Sequence, residues 1–427
     1  MTSTKAAPPL SGSPPPLWRN LRFQALWVGM TSSTLGVSVA DIAYPLVILV
    51  LTGSPARAGL FAAVQVLGML IAGLPAGSLA DRYDSRLIIV VAEGARTIVT
   101  IAVVIALING WLSLPLLLAA GALLGIGQAM CTTARTLLLR AVVPSEQLTA
   151  ALAQDQVRLN GAAMAGPALG GALYSIRALS HAVPFVFTAA SFVIALATTA
   201  LLPGRTDHRQ KEEGEQQQED QPQGDTSGSG GMLVGLRILW DHPVLRPAMI
   251  LFMIVNTVGA GLDLVLIVLL RHQGVSASEI GLALGVGYAG SIAGLPLIKL
   301  LHRFGPGVLM LSMCLLWIPF FALLSLPFGP WWAAGLLFAA LLCMPAVQVT
   351  GDVLVIQQAP AEQRGRVIAA GMTMLGLGIP AGVAGCGLLL QYLPAQAAML
   401  TLAAILAVGV GYCSTKRELW QARWPAP

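Results

Sequence analysis

Two aspartates stand alone in long apolar runs, and their positions correspond. Asp41 lies 11 residues before Thr52 in "LGVSVADIAYPLVILVLT", and Asp263 sits within "NTVGAGLDLVLIVLL". The stretch "TGSPARAGL" after Asp41 aligns with "GVSASEIGL" after Asp263 at an offset of 222, and the same offset carries Asp41 onto Asp263. At 1.5 Å per helical residue, 11 residues put Asp41 about 16 Å from the end of its helix, near the midplane of a hydrocarbon layer about 30 Å thick. An ionisable group at that depth costs several kcal/mol unless it is paired or wetted. Each aspartate is therefore a candidate for binding a proton or a cationic group. The structural alternative is a hydrogen bond that fixes packing, for which Tyr44, one turn from Asp41, is a ready partner.

Other charges form pairs by spacing. Glu93 with Arg96, and Asp155 with Arg158, are i,i+3 neighbours able to satisfy each other on one helix. Arg135 lies nine residues before Pro144 and Asp352 eight before Pro360, so the two occupy nearly matched depths in the two halves. They are a candidate cytoplasmic gate, closing when they bridge the halves; Asp155 is the alternative partner for Arg135. A third concentration is "GLPAGSLADRYDSR" at 73–86, with Asp81, Arg82, Asp84 and Arg86 inside six residues. Gly77 and Ala80 there allow close helix approach, and Asp81 can accept from helix N-termini or from an arginine of the other half. The simpler alternative is a solvated loop whose charges only fix topology.

The elements that must position these groups follow from composition. The 427 residues are 56% hydrophobic and 10% charged, with a mean hydropathy of +0.77, which excludes a soluble domain. A membrane-crossing helix needs about 20 largely apolar residues. Breaking the chain at charged or Pro/Gly-rich punctuation leaves twelve such segments, near 23–51, 57–80, 87–109, 113–139, 147–176, 182–203, 246–270, 277–299, 305–327, 330–356, 365–390 and 394–414. With the N-terminus inside, 18 of the 24 Lys and Arg fall on the inner side, only Arg57, Arg177 and Arg271 fall outside, and Arg96, Arg135 and Arg158 lie within helices. The positive-inside bias puts both termini in the cytoplasm. The polar, Pro-rich opening "MTSTKAAPPLSGSPPP" argues against a secretory signal peptide. The net charge of +5 needs no nucleic-acid partner, since cytoplasmic loops beside anionic lipid account for it. Cys131, Cys314, Cys343, Cys386 and Cys413 lie in apolar segments without metal spacing, and no metal or cofactor is expected.

Between 204 and 231 the chain is rich in Gln, Glu, Gly and Ser, as a flexible linker is. The expected organisation is a cytoplasmic tail at 1–22, a six-helix bundle at 23–203, a largely disordered cytoplasmic linker at 204–245, a second six-helix bundle at 246–414 and a tail at 415–427. The halves resemble each other: "GLPAGSLADRYD" from 73 matches "GLPLIKLLHRFG" from 294 at an offset of 221, and "VVPSEQLTAA" from 142 matches "QAPAEQRGRV" from 358 at an offset of 216. Repeats in the same order, with six helices each, imply parallel halves related by an axis along the membrane normal.

These residues also carry a resemblance. "GSLADRYDSR" resembles the loop between helices 2 and 3 of the major facilitator superfamily, whose pattern is G-x-L-a-D-R-x-G-R-K, and "GPALGG" at 166–171 resembles the helix 5 signature of its antiporters. "TGSPARAGL" (52–60), "ARTLLLRAVVP" (134–144) and "RGRV" (364–367) look like the macrolide-efflux-like branch of drug:proton antiporters. The chain departs from the pattern in two places. Asp84 stands where the loop usually has Gly, and Gly121 stands where helix 4 of the family carries an Arg, so no proton-coupling role passes to helix 4. The resemblance implies the major facilitator fold, all-α and integral to the membrane, with twelve transmembrane helices in two six-helix bundles. It implies that Gly77, Asp81, Arg82 and Arg86 form a conformational latch, and that Gly166, Pro167, Gly170 and Gly171 form a hinge that seals the central path. The first helix of each half lines that path in the family fold, so Asp41 and Asp263 would face one another there and raise each other's affinity for protons.

The function expected is secondary export of an amphipathic drug-like or natural-product molecule in exchange for protons by alternating access, driven by the proton gradient. Tyr44, Gln65, Gln128, Asn256, Tyr288 and Gln348, polar or aromatic within apolar helices, are the candidate substrate contacts. Arg outnumbers Lys twenty to four, a bias of GC-rich bacterial genomes, which suggests a bacterial plasma membrane. A monomer working with its substrate, protons and the bilayer is expected. Uptake, lipid or lysolipid flipping, or a transport-inactive receptor are the alternatives on the same fold. An enzyme is not expected, since no nucleophile constellation, phosphate loop or metal motif is present.

Overall fold

A computed structural model describes residues 19–143, 147–176, 181–202, 229–301, 303, 305–358 and 364–420, and these are helical almost throughout. The first half is built of α1 (Leu21–Thr52), α2 (Pro55–Arg82), α3 (Ser85–Ile108), α4 (Leu114–Val142), α5 (Leu148–Ser175) and α6 (Val183–Ala200). Then follow α7 (Ser229–Asp241), α8 (Leu245–His272), α9 (Ala277–Ala293), α10 (Leu297–Leu301), α11 (Pro306–Leu324), α12 (Pro330–Leu342), α13 (Met344–Gln358), α14 (Arg364–Tyr392), α15 (Ala395–Ser414) and α16 (Arg417–Trp420). The second half makes its six spans from α8, α9 with α10, α11, α12 with α13, α14 and α15. Twelve spans result.

Local chemistry sets the boundaries. Asn20 and Ser54 accept from backbone N–H groups to cap α1 and α2, Pro55 starts α2, and Gly53 closes α1 at φ +62°, a conformation that a Cβ would strain. Ser276 and Glu279 form a reciprocal capping box on α9. Among the described residues ten stretches, the jointed α12–α13 one of them, are long and apolar enough to cross a membrane. The two other spans are α5, with its polar "QDQVRLN", and the 17-residue α9. These two pack on each other between the halves, so protein replaces lipid over part of their surface.

The packing repeats with the sequence. In the first bundle α1 lies against α5 and α6, α2 against α4, and α3 against α4 and α6. The second bundle matches this with α8 against α14 and α15, α9 against α12, and α11 against α15. Two seams join the bundles, α2 on α14 and α5 on α9. At their outer ends backbones touch. A Cβ on Gly59 would lie 2.8 Å from the Gly387 Cα, and one on Gly171 only 2.2 Å from the Ala277 carbonyl oxygen and 3.0 Å from the Gly281 Cα. Ser54 donates to Gln391 Oε1 at 2.7 Å, and Ser175 and Ser278 share a hydrogen bond at 2.8 Å, closing the same end. Toward the positively charged end, Gly73 and Gly77 on α2 and Gly161 on α5 have nothing within 4 Å of where a side chain would begin. Among the described residues, these close backbone contacts between the bundles lie toward the outer end.

Two expectations change. The stretch 204–245 does not remain linker to its end, because "SGGMLVGLRILWD" forms α7 and buries Leu239 against Met249, Val367 and Ala370. Residues 203–228 lie outside the described ones. Two segments, 277–299 and 330–356, are each broken in two, at Gly294–Pro296 and at Cys343.

Candidate functional site

Asp41 lies in the middle of α1, yet its side chain is open to solvent, so it faces a cavity and not the bundle core. The cavity, about 20 Å³ and so large enough for a water, is lined by Asp41 and Tyr44 of α1, Gln65 of α2, Arg96 of α3, Gln128 of α4 and Phe192 of α6, among others. Asp41 is close enough to Asp263 of α8 for their charges to interact, and Arg96 acts on it with the opposite sign. Asp263 is half-buried and accepts from the Tyr288 hydroxyl of α9 at 2.6 Å. The two matched carboxylates, one from each bundle, are near enough for their charges to act on each other.

The partner expected for Asp41 is not there. Tyr44 is 1% exposed and its ring packs on Phe61 and Phe185, at centroid distances of 4.4 and 4.7 Å. Aromatic packing has taken that side chain into the core, and its hydroxyl has no hydrogen-bond partner. It is a wall of the cavity more than a ligand contact. Gln65 and Gln128 are half-buried on the cavity, the Gln128 Oε1 without a partner. Asn256 donates to Phe252 O of its own helix at 3.0 Å, and Gln348 is exposed.

Of the gate expected between Arg135 and Asp352, the structure describes the Arg135 side. Arg135 is buried and donates to Glu93 of α3, as does Arg96 at 3.1 Å, while Ser33 donates to Glu93 at 2.8 Å and accepts from Arg96 at 3.2 Å. Matched distance from a proline fixes depth but not the direction a helix side chain points, and Glu93 lies inside Arg135's own bundle. The side chain of Asp352 lies outside the described residues. Nor does Arg135 meet Asp155, which pairs with Arg158 at 2.6 Å as the i,i+3 spacing predicts. Arg158 also donates to Met30 O at 3.1 Å and to Thr34 Oγ1, tying α5 to α1.

In the charged loop, Asp81 and Arg82 are exposed. Asp84 caps α3 by accepting from the Arg86 N–H at 2.9 Å, and the Arg86 guanidinium donates to Ala200 O at the end of α6. Arg86 thus ties two helices of one bundle together here, and the departure at Asp84 has a local use. On α5, a Cβ at Gly166 would lie 2.2 Å from Ser38 Cβ and one at Gly170 2.8 Å from Val39 O, while the Pro167 carbonyl and Gly171 face Gly281. One glycine-rich turn thereby lays α5 against α1 on one side and α9 on the other.

Among the described residues no cluster of His, Cys, Asp and Glu could hold a metal. The sequence matches the family model "Major Facilitator Superfamily" over 26–383, and a second match covers 248–418. The chain belongs to that superfamily. No curated protein matches it in sequence. A structure of a nucleoside transporter, NupG, superposes on this facilitator with a TM-score of 0.74 at 14% identity, covering 93% of this chain and 99% of that one. A bacterial homologue of the human lysosomal transporter Spinster, inward-facing and unoccupied, gives 0.70 at 18%, covering 97% and 100%. A bacterial homologue of the iron transporter ferroportin, also inward-facing, gives 0.64 at 15%, covering 94% and 99%. At such identities the likeness is one of fold. This facilitator is a multi-pass membrane transporter of twelve helices.

Proposed function

We propose that the protein exports an amphipathic, drug-like or natural-product molecule across a bacterial plasma membrane in exchange for protons, as the macrolide-efflux-like drug antiporters it resembles do. The observation that carries this is that Asp41 and Asp263, matched across the repeat, lie within range of each other's charge, one from each bundle. Two carboxylates sharing a site of low dielectric do not both hold their charge easily, so a proton or a cationic group completes the site. The cavity beside Asp41 sets the apolar Val37, Ala40, Leu124 and Phe192 among a few polar groups, Gln65, Arg96, Gln128 and Thr188, a mixture that suits an amphipathic ligand better than a sugar. Alternating access then exposes the site to one side at a time, so that proton entry and substrate exit share one conformational cycle.

The test uses inverted vesicles or proteoliposomes with an imposed pH gradient and a panel of amphipathic antibiotics and dyes. Accumulation that follows the gradient, and is lost in the Asp41→Asn/Asp263→Asn variant, is the expected outcome. Accumulation of a panel member that ignores the gradient moves the assignment to a facilitator or lipid carrier on the same fold.

A further inference from the structure

The buried charges of the first bundle do not balance among themselves. Glu93 is one carboxylate shared by two guanidinium groups, Arg96 and Arg135, and all three are buried. The neighbouring pair, Asp155 and Arg158, is complete in itself. The Glu93 cluster therefore holds one positive charge in excess, and an uncompensated charge in a medium of low dielectric demands a partner. Arg96 is the member placed to meet one. Its stem crosses Gly127, where a Cβ would come within 2.6 Å of its Cγ. Its guanidinium lies 4.0 Å from the ring centre of Phe192, and its buried Nε has no hydrogen-bond partner. It lines the same cavity as Asp41.

We propose that Arg96 is the counter-ion of Asp41, so that Asp41 stays ionised through the cycle and Asp263, held by the neutral hydroxyl of Tyr288, is the carboxylate that exchanges the proton or receives a monocation. The division of labour rests on the proton-coupled exchange proposed above. It follows from what surrounds each group. Around Asp41, α2 brings Gln65, α4 brings Cys131 and Arg135, both beside Glu93, α5 brings Arg158, already taken by Asp155, and α6 has no ionisable side chain. From the second bundle, the charge of Asp263 acts on Asp41. Around Asp263, α9 brings Tyr288 and α14 brings Cys386, which packs on Gly261. The charged residues of α2 (Arg57, Asp81, Arg82), α7 (Arg237, Asp241) and α14 (Arg364, Arg366) lie at helix ends or outside the spans, α15 has none, and α13, which also packs on α8, brings no cation but Asp352, whose side chain lies outside the described residues. Among the described side chains Asp263 is thus the carboxylate of the site without a cationic partner. Arg96 acts through Asp41 and is a positioning residue.

Dicyclohexylcarbodiimide modifies carboxyl groups that carry their proton and spares ionised ones. Asp41 is the more open of the two aspartates, so access alone favours labelling it. Purified protein treated near neutral pH and mapped by mass spectrometry is expected to carry the adduct on Asp263 in about tenfold excess over Asp41, the ratio for one unit of difference in acidity. Arg96→Gln is expected to raise the Asp41 adduct to a level comparable with Asp263, and Arg96→Lys to keep it low. Absence of the adduct from Asp263, labelling of Asp41 at least as strong as Asp263 in the wild type, or an Asp41 level indifferent to Arg96→Gln overturns the assignment. Thermal melts of Asp41→Asn, Arg96→Gln and the double variant supply a second measurement. The double variant should melt above either single one, since it removes both charges, and where a single variant yields no folded protein the double should restore a monodisperse peak. Losses that simply add, or a double variant that does not recover, overturn it as well. None of this depends on transport. A wild type that ignores a pH gradient removes the antiport proposal, while labelling and melting still decide the counter-ion.

Discussion

Removing one oxygen from Tyr288 probes the site with little disturbance to packing. The Tyr288→Phe variant keeps the ring and loses the 2.6 Å bond to Asp263. A typical hydrogen bond contributes about 0.5–1.5 kcal/mol, and more while the carboxylate is ionised. Gradient-driven uptake into proteoliposomes should fall about tenfold or more, while the melting temperature changes little; unchanged uptake would make that hydroxyl incidental. The two aspartates were legible because each is isolated in an apolar run and the repeat offset carries one onto the other. Their partners were not. Tyr288 is 25 residues from Asp263 on the next helix, and no pattern along the chain records how two helices are rotated toward each other. Tyr44 shows the same gap from the other side, because its position one turn from Asp41 said nothing of Phe61 and Phe185, whose rings hold it. Arg135 and Glu93, 42 residues apart, met for reasons equally invisible in sequence.

At the scale of elements, caps and composition located the helices well, and prolines located their breaks poorly. Pro45, Pro75, Pro167 and Pro319 sit inside continuous helices, whereas the breaks before α10 and α13 fall beside Pro296 and Pro345. Whether a proline kinks or ends a helix depends on what satisfies the freed carbonyl, which is a tertiary matter. The turn into α8 makes its own prediction. His242 Nδ1 accepts from the N–H groups of Val244 and Leu245 at 3.3 Å, and partial burial holds the ring below the ordinary histidine value of 6.5. A ring that must stay neutral in the folded state adds stability that is complete above about pH 6.5 and declines as the pH falls toward its folded value. Melts between about pH 8 and pH 5 should show this decline, and His242→Asn, an uncharged cap, should flatten it. A profile unchanged by the substitution would assign the pH dependence elsewhere.

For the whole molecule, composition, charge asymmetry and internal repeat fixed the twelve-helix plan, while the shape of the seams came only with the structure. The repeat offsets of 222 and 216 carry Gly59 onto Gly281 and Gly171 onto Gly387, so the two outer contacts are copies of one another. Gly281→Leu should force the Pro167 carbonyl away and open the outer end, and Gly59→Leu should do the same at the other seam. Spin labels on Ser113→Cys and Tyr392→Cys, measured by pulsed electron resonance, should move apart in both variants; unmoved distances would remove these contacts from the closing mechanism. One asymmetry remains between the halves. Glu93, Arg96, Arg135 and Ser33, with Asp155, Arg158 and Thr34, bind α1, α3, α4 and α5 by charged bonds, and in the first half every span is one unbroken helix. In the second half two spans are jointed, at α9–α10 and α12–α13. The halves are therefore unequal in build: the first is riveted by charged bonds between unbroken helices, and the second is jointed.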